Sequence, residues 1–143
     1  MPTAVEANVR FARPSDIPTL KALDPWPRER AWRHKVEAQE VIALELTGRV
    51  AGLARYAVLW TTVPFLELIF IEEPYRGKGH SRRMLEFLKA HLRKEGYVAL
   101  LSSSQTDEPR PQAWHVHMGF RSNGIIEHIA DDNVGELVYR TAL

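Results

Sequence analysis

The chain has 143 residues, no cysteine and a formal net charge of +1. This length supports one domain with a real core, spanning 1–143, while the missing thiols exclude disulfides, thiolate catalysis and cysteine–zinc sites, and the near-zero charge argues against nucleic acid as a partner. At 45% hydrophobic and 26% charged residues, without a run long enough to span a membrane and with a start, MPTAVEANVR, that lacks a signal-like apolar core, the expectation is a cytoplasmic globular protein without a membrane partner.

Taken in order, residues 8–12 predict a first strand. Arg13-Pro14-Ser15-Asp16 reads as a helix start, with Ser15 as N-cap and Asp16 in the first turn. Ile17, Leu20 and Leu23 give that helix an apolar face, and Asp24-Pro25-Trp26-Pro27 ends it. A second helix is predicted over Arg28–Gln39. Its Arg28, Arg30, Arg33, His34 and Lys35 could suggest a nucleic-acid contact, but Glu29 and Glu37 interrupt the run and make it a solvated face. Val41–Leu46 and Val50–Leu59 flank Thr47-Gly48 and read as a hairpin; residues 60–64 loop into the next strand.

The stretch from Phe65 to Arg93 organises the rest. Phe65–Ile71 is rich in β-branched and aromatic residues and carries one charge, Glu67. Pro74 interrupts it, Arg76-Gly77-Lys78-Gly79-His80-Ser81 follows, and Ser81 is the expected cap of a helix with Met84, Leu85, Leu88 and Leu92 on one face. Gly96 stops that helix. The first N–H groups of a helix lack internal partners, and the helix dipole adds positive potential there. Gly77 and Gly79 let a phosphate approach the backbone, and Lys78, Arg82 and Arg83 ring the mouth with charge. The ligand expected is a phosphate or pyrophosphate. A nucleotide P-loop fits poorly, because Lys78 is followed by Gly79 and not by Ser or Thr.

This run resembles motif A of the GNAT N-acetyltransferases: Arg or Gln, two residues, Gly, one residue, Gly or Ala. Arg76 and Gly79 match, and Ser81 replaces the final small residue. The resemblance implies that Arg76, Gly77, Lys78, Gly79, His80 and Ser81 hold the pyrophosphate of acetyl-CoA. It implies too that Ile69, Phe70 and Ile71 meet the pantetheine arm through backbone groups. Leu66-Glu67 resembles the Leu-Glu pair of the aminoglycoside N-acetyltransferase branch. The first two helices would wall the acceptor site, which nominates Trp26, Trp32 and Glu29 as contacts. For each tryptophan, core packing is the competing role.

Tyr97–Leu101 is a short apolar strand, expected parallel to Phe65–Ile71 across a helical crossover. Ser102, Ser103 and Ser104 would lie at its carboxyl end. There they bind pantetheine or acceptor or simply begin a polar loop, the loop being favoured for at least two of them. Gln112–Met118 reads as a short helix ended by Gly119. Residues 120–129 and 134–141 form a final hairpin around Asp131-Asp132-Asn133. The run to His115-Val116-His117-Met118-Gly119-Phe120 resembles GNAT motif B, with His115 in place of the usual Tyr. Gln112, three residues earlier, again resembles the aminoglycoside branch.

Acetyl transfer to an amine needs a base, an oxyanion donor and a tolerable thiolate leaving group. Glu67 is the candidate base, with a charge on a half-exposed strand as its alternative; apolar neighbours would raise its pKa. His115 is the candidate acid, against structural hydrogen bonding or cofactor contact. His115 and His117 lack further ligands at metal spacing, so no metal is expected.

The resemblance therefore implies an α/β GNAT fold: a mixed, mostly antiparallel sheet splayed at a central parallel pair, with helices on both faces. It implies an N-acetyltransferase acting on a primary amine of a small molecule or peptide. An aminoglycoside-like polyamine is the leading substrate, and Asp131, Asp132 and Glu136 could supply acidic surface for it. The competing class is a non-catalytic acyl-CoA-binding module on the same fold. The C-terminal hairpin is the element that could pair in a homodimer.

Overall fold

A computed structural model of the chain describes residues 5–129 and 133–143. Its strands and helices run β1 (Ala7–Phe11), α1 (Ile17–Leu23), α2 (Glu29–Glu37), β2 (Val41–Leu46), β3 (Arg49–Leu59), β4 (Val63–Ile71), α3 (His80–Lys94), β5 (Ala99–Gln105), α4 (Pro109–His117), β6 (Arg121–Ile126) and β7 (Glu136–Ala142). This is the order expected from sequence. Short 3-10 turns at Pro14–Asp16 and Glu73–Tyr75 precede α1 and α3. The strands form one sheet in the order β1-β2-β3-β4-β5-β7-β6, parallel between β4 and β5 and antiparallel elsewhere. Among the described residues no helix is long and apolar enough to cross a membrane. Asp131 and Asp132 lie outside the described residues.

By packing, the chain divides into two compact units, Met1–Tyr56 with Leu68–Leu88, and Ala57–Glu67 with Lys89–Leu143. In the first unit, β1 and β3 flank β2, with Val9 opposite Leu44 and Ala43 opposite Leu53. Thr47 and Gly48 both take positive φ, 48° and 79°, which matches hairpin twist to strand twist. Ile17 and Leu20 of α1 and Trp32 and Val36 of α2 are buried one helical turn apart, in a core with Val41, Ala43 and Leu53. Each fully buried side chain of this size contributes about 1.5–3 kcal/mol. Trp32 is therefore a core residue, wholly buried, while Trp26 is 85% exposed.

Ser15 does not cap α1. Residues 14–16 wind into the 3-10 turn, so the capping position moves back to Arg13, whose N–H donates to Asp16 Oδ2 at 2.7 Å. Asp16 also accepts from Arg10, whose guanidinium reaches Glu45 as well. A buried ion pair lies nearby in the chain: Arg55 Nε donates to Asp24 Oδ2 at 2.7 Å.

In the second unit, Phe65 pairs with Leu101 and Leu66 with Ser102 in the parallel register. β5 then runs antiparallel to β7, with Ser102 opposite Tyr139. The strand expected over Tyr97–Leu101 is displaced, to Ala99–Gln105, so all three serines lie inside it and none begins a loop. Serine has little intrinsic strand preference, which hid this. Tertiary partners decide it: Ser102 and Ser104 are buried and hydrogen-bonded. Helix α4 starts at Pro109, three residues before the expected Gln112; proline is well tolerated in a first turn, where its missing N–H is not needed.

Candidate active site

The candidate phosphate cradle lies in the first unit. It is built by the turn from β4 into α3. Helix α3 begins at His80, so Gly79, and not Ser81, occupies the cap position: its carbonyl accepts the Arg83 N–H at 3.2 Å. The N–H groups of the following turn have no earlier helical carbonyl to meet. Gly77 and Gly79 have φ of +75° and +83°, and a Cβ built on either would meet nothing within 4 Å. The backbone conformation thus excludes most side chains, and the space beside it is open for an anion.

Arg76 closes the turn onto the strand. Its Nε donates to the Ile71 carbonyl at 2.7 Å, and its guanidinium stacks 5.3 Å from the Phe70 ring centroid. The same residue that the motif assigns to the cofactor therefore also fixes the loop. Behind it, Arg49 pairs with Glu72 at 2.9 Å. Lys78, Arg82 and Arg83 are exposed, whereas His80 is buried and its Nδ1 has no hydrogen-bond partner among the described residues. Burial, and then the charges of Arg83 and Lys78, push the His80 pKa down. A neutral ring with an unsatisfied nitrogen, an open left-handed glycine pair and a helix N-terminus together fit a pyrophosphate.

The second unit holds Glu67, Ser102 and His115. Glu67 is exposed on β4, immediately after buried Leu66, rather than set among apolar neighbours as the sequence suggested. His115 is 5% exposed. Its Nδ1 lies 2.7 Å from the Pro111 carbonyl and its Nε2 2.7 Å from Ser102 Oγ. The Tyr139 ring stacks on it at 4.2 Å and 2°, with Trp114 and Phe120 edge-on. Burial lowers the His115 pKa, against the opposing pull of the Pro111 bond. Ser102 Oγ lies 3.1 Å from Leu66 O and 2.7 Å from His115 Nε2. Ser104 meets the Tyr139 hydroxyl at 2.9 Å.

Of Gln112 and His115, which mark the aminoglycoside resemblance, His115 is buried and Gln112 half-buried. The Gln112 amide donates to the carbonyls of Gln105 and Thr106, tying α4 to the end of β5. Beside that end is a cavity of about 330 Å³ lined by Thr106, Ile125, Glu127, His128, Asn133 and Gly135. In the first unit Glu29 is ion-paired with Lys21 and, with Arg33 and Ile17, lines an open groove. Among the described residues no three His, Asp or Glu side chains converge as a metal site. Sequence reasoning missed Tyr139 and the Asp24–Arg55 pair. Their partners lie far along the chain, and no local spacing announces them.

The sequence model of the acetyltransferase (GNAT) family matches residues 9–120. No curated protein matches the chain. Among solved structures, yncA from Salmonella typhimurium with its cofactor acetyl-CoA superposes with a TM-score of 0.80 at 16% identity, covering 96% of this chain and 94% of that one. The ribosomal-protein-S18-alanine N-acetyltransferase of Escherichia coli gives 0.78 at 17% identity, with coverage of 96% and 94%. Arabidopsis thaliana Naa50, in complex with the bisubstrate analogue CoA-Ac-MVNAL, gives 0.79 at 15% identity, with coverage of 96% and 99%.

Proposed function

The chain belongs to the acetyltransferase (GNAT) family, and on that premise we propose that it transfers acetyl to the α-amino group of a peptide or protein, with Glu67 as the base. It is an N-acetyltransferase and its acetyl donor is acetyl-CoA. The observation that carries the donor assignment is the Gly77–Gly79 cradle, open and left-handed at the start of α3. Arg76, Gly77, Lys78, Gly79, His80 and Ser81 hold the phosphates, and Ile69, Phe70 and Ile71 border the pantetheine arm. When bound, acetyl-CoA supplies the thioester acetyl group and a thiolate as leaving group.

An amine attacks only after losing its proton. Glu67 is exposed and so can accept that proton from solvent-borne substrate, directly or through a water. His115 is assigned to positioning and not to acid catalysis. Both its nitrogens are occupied, and a thiol pKa of about 8.5 lets the thiolate leave unprotonated. For the acceptor, Gln112 and His115 serve internal hydrogen bonds, so neither is assigned here to the acceptor. In support, Naa50 holds the bisubstrate analogue CoA-Ac-MVNAL, and the Escherichia coli structure is that of a ribosomal-protein-S18-alanine N-acetyltransferase. The cavity with Glu127 on its wall, at the end of β5, offers a carboxylate to a cationic amine.

A thiol-release assay with acetyl-CoA over peptides of varied N-terminus, blocked lysine peptides, and polyamines including aminoglycosides tests this. Peptide α-amines should give the highest kcat/KM. Turnover confined to aminoglycosides would overturn the acceptor assignment, and binding of acetyl-CoA without turnover of any amine would favour a non-catalytic acyl-CoA-binding module.

A further inference from the structure

The hydrogen bonds around His115 form a chain with a shortage of protons. It runs from the Pro111 carbonyl to Nδ1 (2.7 Å), from Nε2 to Ser102 Oγ (2.7 Å), and from Ser102 Oγ to the Leu66 carbonyl (3.1 Å). Both ends are carbonyl oxygens, which only accept. Filling the three links takes three protons. A neutral imidazole brings one and the serine hydroxyl another, so one link is always empty while His115 is neutral.

The distances say which. Nδ1 at 2.7 Å from a carbonyl must carry the hydrogen, since two lone pairs at that separation repel. Nε2 is then the bare nitrogen and accepts the Ser102 hydroxyl. The Leu66 carbonyl, at the longest separation, is left without that proton. A proton added to Nε2 reverses the middle link: Nε2–H donates to Ser102 Oγ, the hydroxyl turns, and its hydrogen goes to Leu66 O. The proton comes from solvent, and no other bond forms or breaks.

Leu66 precedes Glu67, and its partner across the parallel register is Ser102 itself. We propose that Ser102 and His115 are a positioning pair for acetyl transfer, in which the presence or absence of a proton on Nε2 sets whether the serine hydroxyl grips the peptide carbonyl that orients Glu67. The titratable group packed against the ring is the Tyr139 phenol from β7, itself bonded to Ser104; β5 contributes neutral Ser102, and α4 the Pro111 carbonyl. Burial of the ring agrees with a neutral His115 near neutral pH, hence with an ungripped Leu66 there.

Only the kinetic arm of the test rests on the proposed role of Glu67. The primary measurement is NMR on the labelled 143-residue chain from pH about 8 to well below the ordinary imidazole value of ~6.5, because burial lowers His115. Nitrogen shifts should report the Nδ1–H tautomer at the upper end. The Leu66 carbonyl carbon should move with the titration of His115 in the wild type and stay still in Ser102→Ala. An Nε2–H tautomer, or a Leu66 carbonyl indifferent to His115, overturns the proposal, and the wild-type spectrum decides this even if Ser102→Ala fails to fold. In the kinetic arm, Ser102→Ala should lower kcat about 5- to 10-fold, as loss of one hydrogen bond would. That loss should appear at the lower end of the pH range, where Nε2 is protonated and the hydroxyl grips Leu66, and fade at the upper end, so that the kcat inflection at the His115 titration disappears while the KM for acetyl-CoA stays the same; Ser102→Thr, which keeps the hydroxyl, should restore both. An inflection unchanged in Ser102→Ala counts against the pair. Absence of turnover in the wild type would instead strike the acetyl-transfer assignment and leave the spectroscopic result standing.

Discussion

Substitution of Gly79 separates the conformational role of the cradle from its role in binding. In the protein without ligand, a Cβ at this position meets nothing within 4 Å, so the penalty is that of holding an L-residue at φ +83°. That is about 1–2 kcal/mol for Ala and less for Asp, which visits the left-handed region more readily. Gly124, at φ +108° and equally open, makes the control: Gly124→Ala should cost a similar amount in urea unfolding and leave cofactor affinity untouched. Binding adds a second term only at Gly79. An aspartate about 4 Å from a phosphate oxygen repels it by about 4 kcal/mol at an effective dielectric of about 20. Screening by solvent and by the cations of Lys78, Arg82 and Arg83 reduces this to about 2 kcal/mol, or about 30-fold in Kd. Gly79→Ala should fall between. Calorimetric titration of folded variants with acetyl-CoA reads the effect. Wild-type affinity in Gly79→Asp would refute the assignment of this loop to the phosphates.

Three further outcomes are expected. Arg55→Ala should destabilise by about 3–5 kcal/mol, because it strands the buried Asp24 carboxylate, whereas Arg55→Met with Asp24→Leu should lie near wild type; equal losses in chemical denaturation of single and double variants would show that the pair is not the cause. The Arg10 guanidinium holds the Asp16 carboxyl below the usual carboxylate range. A depressed acid contributes stability above its unfolded pKa of about 3.9, and that contribution is lost as pH falls through the lower folded value; Asp16→Asn should flatten the acid limb of Tm against pH, and parallel curves would contradict this. Glu67→Gln should lower kcat by about 10²–10⁴-fold, be partly rescued by raising pH, and keep acetyl-CoA affinity; wild-type kcat at every pH would make Glu67 a structural strand residue.

Local chemistry made much of this protein legible from its sequence. The Thr47-Gly48 turn, the Gly96 stop and the apolar face of Met84, Leu85, Leu88 and Leu92 depend on neighbours within a few residues, and each is found where expected. So is the glycine turn between β4 and α3, since strand, turn and helix start are contiguous. The Ser15 cap gave way because residues 14–16 wind into a 3-10 turn that Asp16 closes onto the Arg13 N–H. What only the tertiary structure decided is where polar side chains find partners across the sheet. Ser102, Ser103 and Ser104 read as a loop because serine favours no strand by itself; Leu66, His115 and Tyr139 supply the hydrogen bonds that let two of their hydroxyls be buried. His115 read as an acid because an imidazole titrates near neutrality. Its burial, its stacking on Tyr139 and its bond to Pro111 turn it inward, and those depend on strand register and helix packing that no motif spacing encodes.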